Sequence, residues 1–77
     1  MTVLEALRKK AHIPQMELAA EVNVTQAHIS QWENLHGIIP QPVEEAIRQY
    51  FTQKFKDDDV ALSVLQHYGL QDDVDAD

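Results

Sequence analysis

The chain has no cysteine, two glycines, three prolines, and only 6 cations against 13 carboxylates in 77 residues. Without cysteine there is no disulfide framework and no thiolate metal site, as in proteins of a reducing compartment. No apolar run approaches the roughly 20 residues that span a bilayer, and no signal-peptide core opens the chain, so the expected location is cytoplasmic. No nucleophile and base pair, glycine-rich phosphate loop or paired catalytic carboxylates can be placed. The four histidines (12, 28, 36 and 67) lack metal-ligand spacing, and the aspartate runs lack the calcium loop with its distal glutamate. A protein without enzymatic activity, metal or cofactor is therefore expected. A chain this short buries only about 60% of its unfolded surface, so its stability should be modest and oligomerisation would add to it.

The net charge of −7 argues against a nucleic-acid partner until its distribution is considered. Residues 1–54 carry five cations and six glutamates, a net of −1, whereas residues 55–77 carry Lys56 and seven aspartates, a net of −6. The acidity belongs mostly to the C-terminal segment.

Five helical patterns and no strand alternation predict an all-α domain. Thr2 and Glu5 make a T-x-x-E capping box ahead of the stripe Val3, Leu4, Leu7 and Ala11, with Arg8, Lys9 and Lys10 in the last turns. Pro14 suits entry into a second helix over 15–22, and a third is expected over 26–34. After a loop at 35–41, Pro42 opens a fourth helix whose buried face is Val43, Ala46, Ile47, Tyr50 and Phe51. Residues 57–59 cap a fifth, with Val60, Val64, Leu65 and Tyr68 as its inner stripe and Gly69 as its stop. The domain is expected to occupy residues 1–70, and residues 71–77, too polar to offset their ordering entropy, to form an acidic disordered tail.

Residues 15–33, QMELAAEVNVTQAHISQWE, are the most informative stretch. Ala19 is small where a second helix must pass closely, Asn23 tolerates a left-handed backbone, and Thr25 can cap the third helix. Leu18, Ala19, Val22, Val24, Ile29 and Trp32 read as core, leaving Gln26, Ala27, His28, Ser30 and Gln31 to face outward.

These residues resemble the lambda-repressor-like family of helix-turn-helix domains, the Cro/C1 or XRE type, over roughly residues 3–54. The match rests on Gln15 opening helix two, the Leu18-Ala19 pair, Val24 after the turn, and the Ile-Ser-x-Trp-Glu ending at Ile29, Ser30, Trp32 and Glu33. The resemblance implies a compact five-helix domain that binds operator DNA as a homodimer, with helix three in the major groove. It implies that Gln15 contacts a phosphate and braces Gln26, and that Thr25 and Asn34 contact phosphates at the two ends of helix three. Gln26 is the first candidate for reading an adenine edge, with Ala27, His28 and Gln31 behind it. Lys9 and Lys10 are candidates for the DNA backbone, or else a solvated helix end. The chain departs from the family in having Asn23 for glycine, Pro14 for a Ser or Thr cap, and no cation after Gly37. Fewer cations imply a shallow salt dependence.

The expected function is a transcriptional regulator of Cro-like or repressor-like kind, with double-stranded DNA and a second copy as partners and no small-molecule effector. Val60, Leu65 and Tyr68 serve either dimer contacts or the core. The alternative is an acidic helical protein-interaction module, such as an antitoxin, antirepressor or partner regulator, that retains the fold.

Overall fold

A computed structural model describes residues 1–74. The helices are α1 (Val3–Lys10), α2 (Gln15–Glu21), α3 (Gln26–Glu33), α4 (Gln41–Lys54) and α5 (Asp59–His67). Among the described residues the only β pairing is an isolated antiparallel bridge between Thr2 and Asp73. The fold is all-α, as expected.

Local chemistry sets each boundary. The Thr2 hydroxyl accepts the Glu5 N–H at 3.2 Å and opens α1, while the Glu5 carboxylate turns to Lys9 at 2.9 Å. Pro40 precedes α4 and Pro42 sits second in it, where a missing N–H costs no helical bond.

The exits of α1, α2 and α3 repeat one device. His12, Asn23 and Leu35 have φ of 58°, 60° and 61°. In each case the left-handed residue donates its N–H to a carbonyl three residues back, and the next residue donates to one five back. The pairs are His12 to Lys9 with Ile13 to Arg8, Asn23 to Ala20 with Val24 to Ala19, and Leu35 to Trp32 with His36 to Gln31. This is the double hydrogen bond of the Schellman closure, which satisfies carbonyls a helix end would otherwise leave open. It also turns Ile13 and Val24 back onto the core, where Ile13 is buried and Val24 half-buried.

That core joins Val3, Leu4 and Leu7 of α1 to Leu18 and Ala19 of α2, Ile29 and Trp32 of α3, and Ile47 and Phe51 of α4. The connections add Ile13, Val22, Ile39, Phe55 and Leu70, and α5 adds Ala61 and Leu65.

Three expectations for the C-terminal region are corrected. The inner face of α5 is Ala61 and Leu65, with Val64 half-buried, whereas Val60 and Tyr68 are 68% and 48% exposed. The cap explains the rotation: Asp58 accepts the Ala61 N–H at 3.1 Å, fixing the register in which Ala61 and Leu65 share the stripe. Helix α5 ends at His67, two residues before Gly69, which has no left-handed φ and donates its N–H to the Asp72 carboxylate at 2.7 Å. Finally, residues 71–74, expected in the disordered tail, are tied to the domain. Val3 and Leu4 donate N–H groups to the carbonyls of Asp72 and Leu70, and Val74 donates to Met1. The Gln71 amide receives the Ile39 N–H and donates to the carbonyls of Trp32 and Gly37. Backbone hydrogen bonds and the buried Leu70 supply what the polar side chains of this segment lack. The rest of that expected tail, residues 75–77, lies outside the described residues.

Candidate nucleic-acid interface

Helices α2 and α3 make the most extensive helix contact of the domain. Ala19 is almost fully buried and Asn23 adopts the left-handed turn, as a tight helix-turn-helix requires. The resulting α3 buries Ile29, Trp32 and Glu33 on one side. On the other, Gln26, Ala27, His28 and Gln31 are all exposed.

The N-terminus of α3 is closed by Thr25 and His28. The Thr25 hydroxyl accepts the His28 N–H at 3.2 Å, and the His28 Nδ1 faces both the Thr25 N–H, at a long 3.4 Å, and the Thr25 hydroxyl, at 3.1 Å. This is a capping box in which a histidine takes the place usually held by Glu or Gln. Two donors converge on Nδ1, so the proton of the neutral imidazole belongs on Nε2. The ring also stacks on Trp32, with centroids 5.5 Å apart and planes 13° off parallel. His28 is thus held in place from two sides while remaining exposed.

Gln15 and Gln26, eleven residues apart, meet as the family pattern implies: Gln26 Nε2 donates to Gln15 Oε1 at 3.3 Å. Gln15 is itself held, its Nε2 donating to Glu33 Oε1 at 2.9 Å. Asn34 folds back, its side-chain amide donating to the Ser30 carbonyl at 2.8 Å.

Spacing alone assigns neither Arg8 nor Glu33 a contact at the site; both organise it. The Glu33 side chain is 2% exposed and that of Arg8 11%, and they pair through Nε–Oε2 at 2.5 Å and Nη2–Oε1 at 3.1 Å. Arg8 also donates to the Ile13 carbonyl at 2.9 Å, and Thr2 donates to the Glu33 carbonyl at 3.3 Å. A signal was present: Ile29, Trp32 and Glu33 share the i, i+3, i+4 spacing of one stripe, and a carboxylate on a buried stripe demands a cationic partner.

Lys9 and Lys10 are engaged elsewhere, on Glu5 and on Asp58 at 3.1 Å. With Arg8 on Glu33 and Arg48 on Glu44, four of the six cations are in ion pairs among the described residues. Lys54 lies over the Tyr50 ring, 5.4 Å from its centroid. Tyr50 donates to Glu17 at 3.4 Å, and its pKa is raised by burial and then by the Glu17 charge.

A helix-turn-helix family model matches residues 4–43, just over half of the chain, and the chain belongs to that family in its Cro/C1 (XRE) form. Membership makes it a DNA-binding helix-turn-helix regulator, of a family that is regulatory and not typically enzymatic. No curated protein and no solved structure matches the chain significantly. No helix among the described residues is long and apolar enough to cross a membrane.

Proposed function

We propose that the protein is a cytoplasmic, repressor-type transcription regulator that binds a palindromic operator as a homodimer, with α3 in the major groove. The observation that carries this reading is the exposed outer face of α3, led by a Gln26 already braced by Gln15. In this reading Gln26 takes an adenine edge, Ala27 a thymine methyl, and Gln31 and the Nε2–H of His28 further base or phosphate acceptors. Gln15 and Asn34 contact phosphates through their remaining amide protons, Thr25 does so once its hydroxyl turns from His28, and Lys9 and Lys10 add a sequence-independent attraction once they leave their carboxylates. Val60 and Tyr68, exposed at α5 and its C-terminal end, offer apolar surface to a second copy.

The competing reading is a protein-binding module of the same fold, favoured by the four cations held by the protein's own carboxylates. Selection from a random duplex pool separates the two. A regulator enriches a short palindrome, loses the preference at one position in Gln26→Ala, and shows a shallow salt slope, at about −0.9 per neutralised phosphate. In Lys9→Ala with Lys10→Ala, all sequences weaken alike. Absence of any enriched sequence at moderate salt would reject the regulator in favour of the interaction module.

A further inference from the structure

We infer that Glu33, which points away from the exposed α3 face, is a positioning residue that sets the direction of the Gln15 and Gln26 amides, so that the surface selects adenine over guanine. The inference rests on the regulator reading and adds to it the cause of the base preference. A side-chain amide can be reversed end for end at little steric cost, since its oxygen and nitrogen are nearly the same size. Only hydrogen bonding fixes its direction.

Glu33 supplies that fixed point. Its carboxylate is buried against Arg8, which holds both of its oxygens, and a carboxylate can only accept. Gln15 must turn its NH2 toward Glu33, because the reverse would set an amide oxygen against a carboxylate oxygen. The Gln15 oxygen then faces Gln26 and can only accept, so Gln26 must offer its own Nε2. One Nε2 proton and the whole Oε1 of Gln26 remain free. Adenine presents an acceptor at N7 and a donor at N6, which match one proton and one oxygen. Guanine presents two acceptors, N7 and O6, and would need two donors. The polarity chosen at the buried carboxylate thus reaches the groove through two amides.

Two substitutions and one measurement on the unaltered protein test this. Glu33→Gln replaces the acceptor-only group by a reversible amide, and Gln15→Leu cuts the chain while leaving the ion pair intact. At the operator position whose preference Gln26→Ala abolishes, the adenine-to-guanine affinity ratio should fall about tenfold in E33Q and Q15L. In the free, unaltered protein, NMR should detect a coupling across the hydrogen bond from the Gln15 side-chain nitrogen to the Glu33 carboxylate carbon. An unchanged ratio in Q15L, or in a folded E33Q, overturns the inference while leaving the regulator reading intact, as does a missing coupling. If the original protein enriches no sequence, the regulator reading fails and the base-selection claim with it, whereas the coupling still reports whether Glu33 orients Gln15.

Discussion

Around Arg8, where α1, α2 and α3 meet, the guanidinium is held by the Glu33 carboxylate, itself 2% exposed, and by one main-chain carbonyl. Around Arg48, between α4 and α5, the same group reaches the carbonyls of Leu65 and Tyr68 at 2.5 and 2.9 Å, with Glu44 alongside in partial solvent. The first arrangement buries two charges against each other and links them to the exposed glutamines. The second sets one charge on the carbonyl dipoles at the end of α5, where a cation is favoured. Buried charges tolerate no missing partner, whereas carbonyls near the surface can turn to water. The half of the molecule that carries the reading surface should therefore fail abruptly and the other half gradually.

Removing one arginine at a time is the strongest way to break this contrast. Arg8→Ala leaves Glu33 buried without its counter-ion and should destabilise the fold by about 3–5 kcal/mol, a large part of what a domain of this size possesses. Arg48→Ala should cost only about 1–2 kcal/mol, since water replaces part of what the carbonyls lose. Urea unfolding followed at Trp32 measures both. Equal losses would show that the two arginines do the same work.

The apolar frame was legible in the sequence and the polar interior was not. Val3, Leu4 and Leu7, or Ile47 and Phe51, repeat at three and four residues, and one stripe suffices to place them. Asn23 was identifiable because its residue type suits a positive φ; His12 adopts the same conformation with a weaker preference for it and Leu35 with none. Residue type carries no trace of a backbone forced left-handed by the two hydrogen bonds that close a helix. Ile13, Ile39 and Leu70 were missed as core because each lies in a connection, outside any periodic pattern. The contact between Gln15 and Gln26 came from the family pattern, but the Glu33 and Arg8 partners behind it span 25 residues. Local spacing on one helix marks Glu33 as buried without naming its counter-ion. Similarly, residues 71–74 are polar in composition and ordered by main-chain bonds to α1, which composition does not express.

A smaller effect sharpens the picture of the three helix exits. His12 is exposed and non-glycine in a left-handed conformation that costs L-residues roughly 1–2 kcal/mol. Glycine relieves that strain but makes the unfolded chain more flexible, by about 0.4–1 kcal/mol. His12→Gly should then stabilise by about 0.5–1 kcal/mol, and Asn23→Gly by less than about 0.5 kcal/mol, because asparagine already tolerates the region. Leu35 is a poorer place for the test, since it is 59% exposed and its remaining burial offsets the relief. A loss of stability in His12→Gly would mean that the first exit is unstrained.

The smallest expected effect lies at the start of α5, where Asp58 links the two halves of the molecule. Its pKa is lowered below the ordinary aspartate value of 3.8, first by the Ala61 N–H it accepts and then by the Lys10 ammonium. Because the folded value lies below the unfolded one, the ionised cap stabilises the fold above about pH 3.8 and that contribution fades as pH falls through the lowered folded value. Asp58→Asn, a competent but uncharged cap, should therefore be less stable than the unaltered protein near neutrality and converge with it in acid. A gap that stays constant across that range would remove Asp58 as the titrating group. The same carboxylate reports on the proposed interface. If Lys10 leaves Asp58 for a phosphate when operator binds, Asp58 loses its second source of stabilisation and must titrate at higher pH in the complex than in the free protein. An unmoved Asp58 titration in the operator complex would show that Lys10 keeps its carboxylate and that the backbone contacts come from neutral groups alone.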